Sequence, residues 1–471
     1  MLRRSLAATS QSIHPTPLTH EVGITERSIS CESTETNYNT AQTNLPSLCR
    51  VTFTVQTSPS STALAEIWLP DTFTWNGRFL AVGNSGFAGG INYPDIVWGV
   101  RKGFATMSTN TGHDSTSSDG TWMLNNLEAA VDFGHRALHV TTGVAKVIVK
   151  AYYGKREGFA YYAGCSTGGR QGLNAAQRYP GDYDGVLFPN NRSSYIPASM
   201  WSTIHQAVLE QCDGLDGVAD GIIMDPRICN FRPEVPLCTN GNTTNCLSTA
   251  QVQNLQRMYT SWLDSTNHIV NPGLSPSGEE GFSYLMNGDW RTLTSEDVHF
   301  AEEMNPGGMN AYDPDLRPFE KKGGKVLQYH GFADPVIPAG VAGRWVETVE
   351  AFYDSLGGGE DISDFYRLFM VPGMGHCNGG VGAWVLDAAG QDGLPPPECK
   401  GRSHSMLWSL VEWFEKGQGP ESAVGTKYVN DMVALGVEFE RAVCSWPDVA
   451  RFDGESGRWV CPGELGGKLK A

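Results

Sequence analysis

The stretch "GFAYYAGCSTGGRQG", residues 158–172, predicts the fold of this chain. Its first half is rich in aromatic and small apolar residues and predicts a strand, and its second half begins a predicted helix. Between them lies the pattern G-x-S-x-G, filled by Gly164, Ser166 and Gly168. A strand, a sharp glycine turn and a helix expose a serine hydroxyl at the carboxyl end of a sheet. The stretch therefore predicts a nucleophilic serine; an ordinary glycine turn is the alternative.

The same alternation of strand and helix continues on both sides of this stretch. Strand-like runs lie at 65–70, 78–84, 103–110, 185–190, 325–331 and 365–373, and helical patterns lie at 124–154, 339–356 and 403–417. This order predicts βαβ units and hence an α/β fold with a mostly parallel central sheet.

Residues 191–320 interrupt the alternation with four cysteines, many Asn, Gly and Pro residues, and one short helical pattern at 248–263. The chain of 471 residues also exceeds what one simple hydrophobic core fills. We therefore expect a main domain formed by 45–190 and 321–471, an inserted domain at 191–320, and an N-terminal segment at 1–44.

The charge of the chain excludes some classes of partner. Its 34 basic and 51 acidic residues give a net charge of −17, and its pI is about 5.1. This balance argues against binding to nucleic acid or to anionic membrane surfaces. No apolar run approaches the roughly 18 residues that a membrane helix requires.

The cysteines predict disulfides. Eleven are present, and their short spacings favour the pairs Cys212–Cys229, Cys238–Cys246 and Cys444–Cys461. Cys31 and Cys49 form a further candidate pair, which leaves Cys399 without a predicted partner. Because disulfides form in oxidising compartments, we expect an extracellular protein.

Other evidence on localisation is divided. The sequons at Asn191 and Asn242 are compatible with a secreted glycoprotein, although such triplets are common by chance. The N-terminus has a basic start but no apolar stretch of the length that a signal peptide needs. We expect the true N-terminus to be missing, or export to use another segment.

A nucleophilic serine needs a base, and the base needs an orienting acid. After an elbow of this kind the acid and then the histidine follow on loops after late strands. Asp334 directly follows the strand predicted at 325–331, and His376 follows the one at 365–373. Taken singly, Asp334 could form a turn and His376 could be structural, but together with Ser166 they predict a catalytic triad.

The other histidines are weaker candidates for the base. His330 is expected to pack beside the acid loop, and His113 to line a pocket. His135 and His139 fall on the long predicted helix and are expected to be structural.

Two cysteines flank the predicted nucleophile and base. Cys165 directly precedes Ser166, and Cys377 directly follows His376. If the serine and histidine lie within hydrogen-bonding reach, their neighbours are close enough for a disulfide. A pair of small buried thiols is the alternative.

These residues resemble the tannase and feruloyl esterase family, whose members are α/β-hydrolases with an inserted lid and a disulfide between the neighbours of the catalytic Ser and His. The resemblance extends over about residues 45–430 and is carried by the motifs "GRFLAVGNSGFAGGI", "DFGHRALHVTT", "GCSTGGRQG", "HGFADPVIP" and "VPGMGHC". It departs from the family in the missing signal peptide, the short N-terminal segment and the unpaired eleventh cysteine.

The resemblance implies a serine carboxylesterase that hydrolyses small esters of aromatic acids such as ferulate or gallate, of plant cell-wall or tannin origin, through an acyl-enzyme. The oxyanion of the intermediate needs backbone N–H donors. We expect these from Thr167 and Gly86, with Ser85 as the alternative to Gly86; a loop that only turns the chain at 83–90 is the other interpretation.

The segment "CDGLDGVADGII", residues 212–223, concentrates negative charge. It is not an EF-hand, because the spacing of its acidic residues differs from that motif. The resemblance implies a structural calcium ion in the lid, held by side chains of Asp213, Asp216 and Asp220 and by the carbonyls of Val218 and Ile222. A solvated acidic turn is the alternative, and no organic cofactor is expected.

The lid at 191–320 is expected to shape the substrate pocket. Its candidate wall residues, each of which could instead be plain core, are Tyr195, Trp201, Phe282, Tyr284 and Trp290. Two alternatives remain: an esterase of the same fold acting on other aryl esters such as phthalate-like monoesters, and a non-catalytic binding protein on a hydrolase scaffold. The sequence leaves the oligomeric state open.

Overall fold

The computed structural model describes most of the chain: residues 19–24, 28–29, 42–43, 45–188, 198–236, 246–247, 249–279, 294–357, 359, 361–391, 393–397 and 401–465. Outside these residues lie the candidate wall residues, sequons and cysteines Tyr195, Phe282, Tyr284, Trp290, Asn191, Asn242, Cys31, Cys238 and Cys399.

The chain forms two compact units. Residues 1–188 with 304–326 form the first, and residues 189–303 with 327–471 form the second. The segment predicted as an inserted domain is thus divided between the units at residues 303 and 304, and the predicted division into domains stays a prediction.

The described strands, in chain order, are β1 (Thr19–Ile24), β2 (Ser28–Ile29), β3 (Gln42–Thr43), β4 (Leu48–Ser58), β5 (Ser61–Pro70), β6 (Arg78–Val82), β7 (Ala105–Thr109), β8 (Phe159–Ala163), β9 (Gly185–Phe188), β10 (Trp262–Leu263), β11 (Ile269–Asn271), β12 (Lys325–Gly331), β13 (Tyr366–Val371), β14 (Ser422–Tyr428), β15 (Val437–Cys444), β16 (Arg451–Asp453) and β17 (Arg458–Val460).

The described α-helices are α1 (Tyr93–Arg101), α2 (Leu127–Val131), α3 (Ala137–Tyr153), α4 (Thr167–Arg178), α5 (Ala198–Cys212), α6 (Thr249–Tyr259), α7 (Ser295–Met304), α8 (Arg317–Glu320), α9 (Gly340–Ser355) and α10 (Met406–Lys416). A π-helical turn, Asp132–Arg136, joins α2 to α3.

The sheet of the first unit is ordered β1-β4-β5-β7-β6-β8-β9. The pairs β1–β4, β4–β5 and β5–β7 are antiparallel, whereas the pairs β7–β6, β6–β8 and β8–β9 are parallel. Central parallel strands are covered on both faces, and so they consist of continuous apolar runs. In β6 the four residues from Phe79 to Val82 have no exposed surface, and in β8 Tyr161 and Tyr162 are equally buried.

Glycines allow β8 and α4 to approach closely at the G-x-S-x-G turn. A Cβ atom on Gly164 would lie 2.7 Å from the carbonyl carbon of Gly168, and one on Gly83, after β6, would lie 2.5 Å from the Cα of Gly168. Real Cβ atoms do not approach other atoms so closely. The sharp turn from strand to helix therefore depends on the absence of side chains at these positions.

The helical pattern predicted at 124–154 is divided into α2, the π-helical turn and α3. Asp132, in the π-helical turn, is completely buried. Its carboxylate accepts hydrogen bonds from the hydroxyls of Thr57 and Ser61, both at 2.5 Å, and from Nε of Arg136 at 2.6 Å. These donors satisfy the buried charge and attach the helix to the β4–β5 hairpin.

The second unit contains β12 and β13, which are neighbours in a sheet. Helices α5 and α6 pack together in an apolar cluster that includes Trp201, Ile204, Val208 and Leu255. The C-terminal part forms the antiparallel β14–β15 hairpin, and Cys444 and Cys461 lie in a second apolar cluster beside it. Among the residues described, no helix is both long and apolar enough to cross a membrane.

The close contact at the turn gives a first prediction. Gly164→Ala should lower the free energy of unfolding by about 1–3 kcal/mol, because the new methyl group overlaps the backbone of Gly168. Gly143→Ala is the matched control: Gly143 is exposed in α3 with nothing within 4 Å of an added Cβ, so the alanine should stabilise the protein by about 0.5–1 kcal/mol. Urea denaturation measures both, and equal midpoints for the Gly164 variant and the wild type would contradict the account of the turn.

Candidate active site

Ser166 lies between β8 and the first residue of α4, in the first unit. Its backbone has φ of 57° and ψ of −122°, a left-handed conformation that costs a serine about 1–3 kcal/mol. The turn is held by the N–H of Gly168, which donates to the carbonyl of Cys165 at 2.8 Å, and by the N–H of Arg170, which donates to the carbonyl of Ser166 at 3.1 Å. A serine held in this strained conformation at the N-terminus of a helix is typical of a nucleophile elbow.

The glycine loop 83–90 is fixed beside this elbow. The N–H of Gly83 donates to the carbonyl of Ala163 at 3.1 Å, and the N–H of Asn84 donates to Oε1 of Gln171 on α4 at 3.1 Å. The structure therefore brings the loop that contains Gly86 to the start of the helix that begins at Thr167. The hydrogen bond between Asn84 and Gln171 was not predicted, because Asn and Gln form no motif here that would indicate it.

The predicted acid and base meet in the second unit. Oδ1 of Asp334 accepts hydrogen bonds from the N–H groups of Val336 and Ile337, both at 2.8 Å, and Oδ2 lies 3.0 Å from Nδ1 of His376. The Asp334 side chain is completely buried and that of His376 is 24% exposed. Because a carboxylate only accepts, Nδ1 carries the proton, and Nε2 of the same ring is left as the basic nitrogen.

Backbone contacts hold the loops of this pair together. The N–H of Phe332 donates to the carbonyl of Val371 at 2.9 Å, and that of Ala333 donates to the carbonyl of Met374 at 3.1 Å. A Cβ on Gly331 would lie only 2.2 Å from the Met374 oxygen, so glycine is required where β12 ends. These contacts hold the loop of Asp334 and the loop of His376 in a fixed position relative to each other, and so they fix the imidazole.

His330 packs beside the acid loop, as predicted, and is completely buried. Its Nε2 lies 3.3 Å from the carbonyl of Ile337 and 3.6 Å from Oδ2 of Asp334. Burial lowers the pKa of His330 below its ordinary value, so the ring is neutral beside the carboxylate at neutral pH.

The two histidines predicted to be structural contact the same tyrosine. Nδ1 of His135 lies 2.7 Å from the hydroxyl of Tyr179, and the ring of His139 stacks on Tyr179 with 3.8 Å between centroids. Burial, with the nearby positive charge of Arg178 and Arg136, lowers the pKa of His135 to about 4. These contacts join the π-helical turn, through His135, and α3, through His139, to the residue that follows α4.

Two of the predicted disulfides are present in the second unit. Cys212–Cys229 has a Cα–Cα distance of 5.4 Å, and Cys444–Cys461 one of 5.6 Å. Cys246 is disulfide-bonded, but its predicted partner Cys238 lies outside the described residues. The flanking cysteines of the predicted nucleophile and base, Cys165 and Cys377, are each disulfide-bonded. Cys49 is buried in β4, but its predicted partner Cys31 lies outside the described residues, so this pairing stays a prediction.

The acidic segment 212–223 forms a loop after α5 that satisfies much of its own charge. Asp213 accepts from the N–H of Gly221 at 3.0 Å, and Asp216 accepts from the N–H groups of Val218 and Met224 at 3.0 and 3.2 Å. Burial raises the pKa of Asp216, and the neighbouring carboxylates of the loop raise it further. The negative charge of this loop is therefore only partly compensated.

The guanidinium of Arg441 forms an ion pair with this loop. Nη2 of Arg441, on β15, lies 2.6 Å from Oδ2 of Asp220. The Arg441 side chain is 7% exposed and packs over the ring of Trp459, 4.7 Å from its centroid. Sequence reasoning missed this residue because its partner is 221 positions away.

The oxygen atoms of the loop are of the chemical type that calcium binds, but the three carboxylates do not converge on one point. Its carboxylate and carbonyl oxygens are the ligands that calcium prefers. Burial, and then the nearby carboxylates of Asp220 and Asp213, raise the pKa of Asp216, and a cation bound among these carboxylates would offset their mutual repulsion. The carboxylates of Asp213, Asp216 and Asp220, all in the described part of the chain, do not bring their oxygens within 4.8 Å of one another. The calcium ion therefore stays a proposal.

Trp201, a candidate wall residue, is 1% exposed and lies in the apolar cluster between α5 and α6. It is a core residue in this structure.

Comparison with known proteins matches the sequence of this chain to one family. The family described as "Tannase and feruloyl esterase" matches residues 49–193, 188–292 and 295–459. A relative from Aspergillus flavus, "Probable feruloyl esterase B-2", is 36% identical over 447 residues, which cover 84% of this chain and 83% of the relative.

Solved structures give the same result. The crystal structure of feruloyl esterase B from Aspergillus oryzae is similar with a TM-score of 0.84 and 28% identity, over 96% of this chain and 97% of that one. Tannin acyl hydrolase from Aspergillus niger shares the fold, with a TM-score of 0.73 and 21% identity over 97% of this chain and 92% of the other.

The fold and the family match define an α/β-hydrolase that is a carboxylic ester hydrolase. The chain belongs to the tannase and feruloyl esterase family. The predicted fold class and enzyme class are therefore confirmed, and the alternative of a non-catalytic binding protein has no support from these matches.

The Asp334–His376 contact gives a second prediction. Asp334→Asn should lower kcat by about 10⁴-fold with little change in KM, because an amide can donate to Nδ1 and so hold the imidazole in the wrong tautomer. Asp354→Asn, an exposed position on α9, is the matched control and should retain full activity. Steady-state kinetics on a chromogenic ester provide the test, and an Asp334→Asn enzyme within about threefold of wild-type kcat would contradict the assignment.

Proposed function

We propose that this enzyme hydrolyses esters of aromatic acids through an acyl-enzyme on Ser166. The observation that carries the proposal is the buried Asp334 carboxylate bonded at 3.0 Å to Nδ1 of His376, which leaves Nε2 to accept a proton. The strained elbow at Ser166 and the order of the three residues along the chain support it. Relatives named as feruloyl esterases and a fold neighbour named as a tannin acyl hydrolase suggest ferulate-like or gallate-like acyl groups.

In the proposed reaction His376 Nε2 takes the proton of Ser166 as Oγ forms a bond to the ester carbonyl carbon. The negative oxygen of the tetrahedral intermediate accepts hydrogen bonds from the N–H groups of Thr167 and Gly86. The imidazolium, stabilised by Asp334, protonates the departing alcohol as the ester bond breaks. A water molecule, deprotonated by the same nitrogen, then releases the acid from the serine.

The packing of the first unit supports the proposed oxyanion donors. Thr167 is the first residue of α4, where backbone N–H groups have no partner within the helix. Gly86 has φ of 50°, a conformation that glycine adopts without strain. The hydrogen bond from Asn84 to Gln171 keeps the loop of Gly86 beside this helix end.

We also propose that Cys165 and Cys377 form a disulfide that joins the elbow to the loop of the base. Their positions on either side of the reacting residues support it, together with the finding that each of them is disulfide-bonded. Such a bond would limit the separation of Ser166 from His376 to what one covalent bridge allows.

The lid at 191–320, the secretion of the enzyme and its glycosylation at Asn191 and Asn242 are further proposals. The disulfides support an oxidising compartment, and a secreted esterase would meet aromatic esters of plant cell walls or tannins. Phthalate-like monoesters remain the alternative substrate class, since the residues of the lid select the substrate.

Substrate comparison tests the proposed function. Wild-type enzyme should hydrolyse methyl ferulate or methyl gallate with a higher kcat/KM than p-nitrophenyl acetate or a monoalkyl phthalate, and Ser166→Ala should lower kcat by roughly three to six orders of magnitude. A fluorophosphonate probe should label the wild type on Ser166. Ser60→Ala, at an exposed turn, is the control. Undiminished hydrolysis by the Ser166 variant would contradict the mechanism, and a preference for the phthalate ester would contradict the substrate class.

Calcium in the 212–223 loop gives a separate prediction. The folded-state pKa of Asp216 is raised, so its contribution to stability is present at low pH and is lost as the pH rises through that pKa. Calcium should offset this loss. Adding calcium to chelator-treated protein should raise Tm more at about pH 7 than at about pH 4, where carboxyl groups protonate.

Matched variants identify the ligand. Asp216→Asn should reduce the calcium-induced rise in Tm, whereas Glu303→Gln, at an exposed position on α7, should leave it unchanged. If calcium does not change Tm of the chelator-treated wild type at neutral pH, the site is wrong.

A further inference from the structure

A short segment after β7, residues 113–117, forms several hydrogen bonds with the glycine loop 83–90. The carbonyl oxygen of Phe87 accepts two hydrogen bonds, from Nε2 of His113 at 2.9 Å and from Oγ of Ser115 at 2.6 Å. The N–H of Phe87 donates to the carbonyl of Ser117 at 2.8 Å. Both polar groups of this one residue in the loop are therefore bound by the segment 113–117.

The backbones of the two segments also pair directly. Gly89 and Ser115 form an antiparallel bridge, with N–H to carbonyl distances of 3.1 and 3.4 Å. A Cβ on Gly86 would lie 2.3 Å from the Ser117 carbonyl oxygen, and one on Gly89 would lie 2.3 Å from the His113 carbonyl oxygen. These glycines are what allow the second segment to lie against the loop.

Two aromatic rings pack against the imidazole ring of His113. It stacks on Trp122 with 3.6 Å between centroids and an interplanar angle of 20°, and it meets Phe133 edge-on at 5.5 Å. Because a carbonyl oxygen only accepts, Nε2 carries the proton. Burial lowers the pKa of His113, so the ring remains the neutral Nε2–H tautomer at neutral pH.

We infer that His113, together with Ser115, is a positioning residue for the oxyanion hole: the two donors fix the Phe87 carbonyl, while the Phe87 N–H is bound to the Ser117 carbonyl. With both peptides of Phe87 held, the orientation of the preceding peptide, which carries the Gly86 N–H, is fixed as well. The inference rests on the proposed function, in which the Gly86 N–H binds the oxyanion. Neither side chain needs to touch substrate. Oxyanion stabilisation requires donors fixed in advance at the position where charge develops, and a displacement of about 1 Å is enough to lower a rate by about 10²-fold.

Replacement of the donor tests this role. His113→Met keeps a large side chain but removes the N–H, and should lower kcat by about 10- to 100-fold with KM changed less than about threefold. His113→Gln retains an N–H near the position of Nε2 and should restore most of the lost rate. His139→Met, a half-exposed histidine of the same unit, is the matched control and should leave kcat unchanged.

A second readout separates positioning from general stability. An arylboronic acid forms a tetrahedral adduct with an active-site serine, and its inhibition constant should rise in His113→Met by the same factor by which kcat falls. Inhibition by the free aromatic acid, which has no tetrahedral oxyanion, should not change. Tm measured on the same samples reports any loss of folding.

The outcomes distinguish this inference from the proposed function. If wild-type hydrolysis does not depend on Ser166, the proposed function fails and this inference with it. If hydrolysis depends on Ser166 but His113→Met retains wild-type kcat, only this inference is overturned. It is also overturned if kcat falls without a matching loss of boronate affinity, or if Gln does not rescue. Should His113→Met be insoluble, Ser115→Ala takes its place, with a lowered kcat at constant KM as support and an unchanged kcat as refutation.

Discussion

The approach of three backbones at one turn is the constraint on which the rest of the site depends. β8, the N-terminus of α4 and the loop after β6 come together where Gly83, Gly164 and Gly168 have no side chains. This contact forces Ser166 into a left-handed conformation, and it places the loop of Gly86 beside the first free N–H groups of the helix. The positions of the proposed nucleophile and of the proposed oxyanion donors thus follow from a single steric requirement.

In the second unit the main constraint is electrostatic: the carboxylate of Asp334 is buried. A carboxylate without solvent contact is costly unless donors surround it, and Asp334 has two backbone N–H groups on one oxygen and the imidazole of His376 on the other. His330, kept neutral by burial, lies close without adding a competing positive charge. The hydrogen bond that helps to satisfy the buried Asp334 carboxylate therefore also orients the imidazole of His376, the proposed base.

The sequence predicted those features that depend on local chemistry. The elbow could be predicted because close backbone contact demands glycine, and Asp334 and His376 because each follows a recognisable apolar strand. The contact of His113 with Phe87 could not, since its acceptor is a backbone carbonyl that every residue possesses. Nor could Arg441, which occupies an inward position of β15 and so breaks the apolar alternation from which a strand is predicted.

The pairing of Arg441 with Asp220 has a consequence for the order in which the chain acquires its structure. The acidic loop emerges from the ribosome long before the residue that neutralises Asp220, which is 221 positions further on. Until the C-terminal hairpin is synthesised, Asp220 lacks the guanidinium that it contacts in the folded chain. A chain truncated before β15 would retain the elbow and the Asp–His pair in its sequence, yet would leave Asp220 permanently without Arg441.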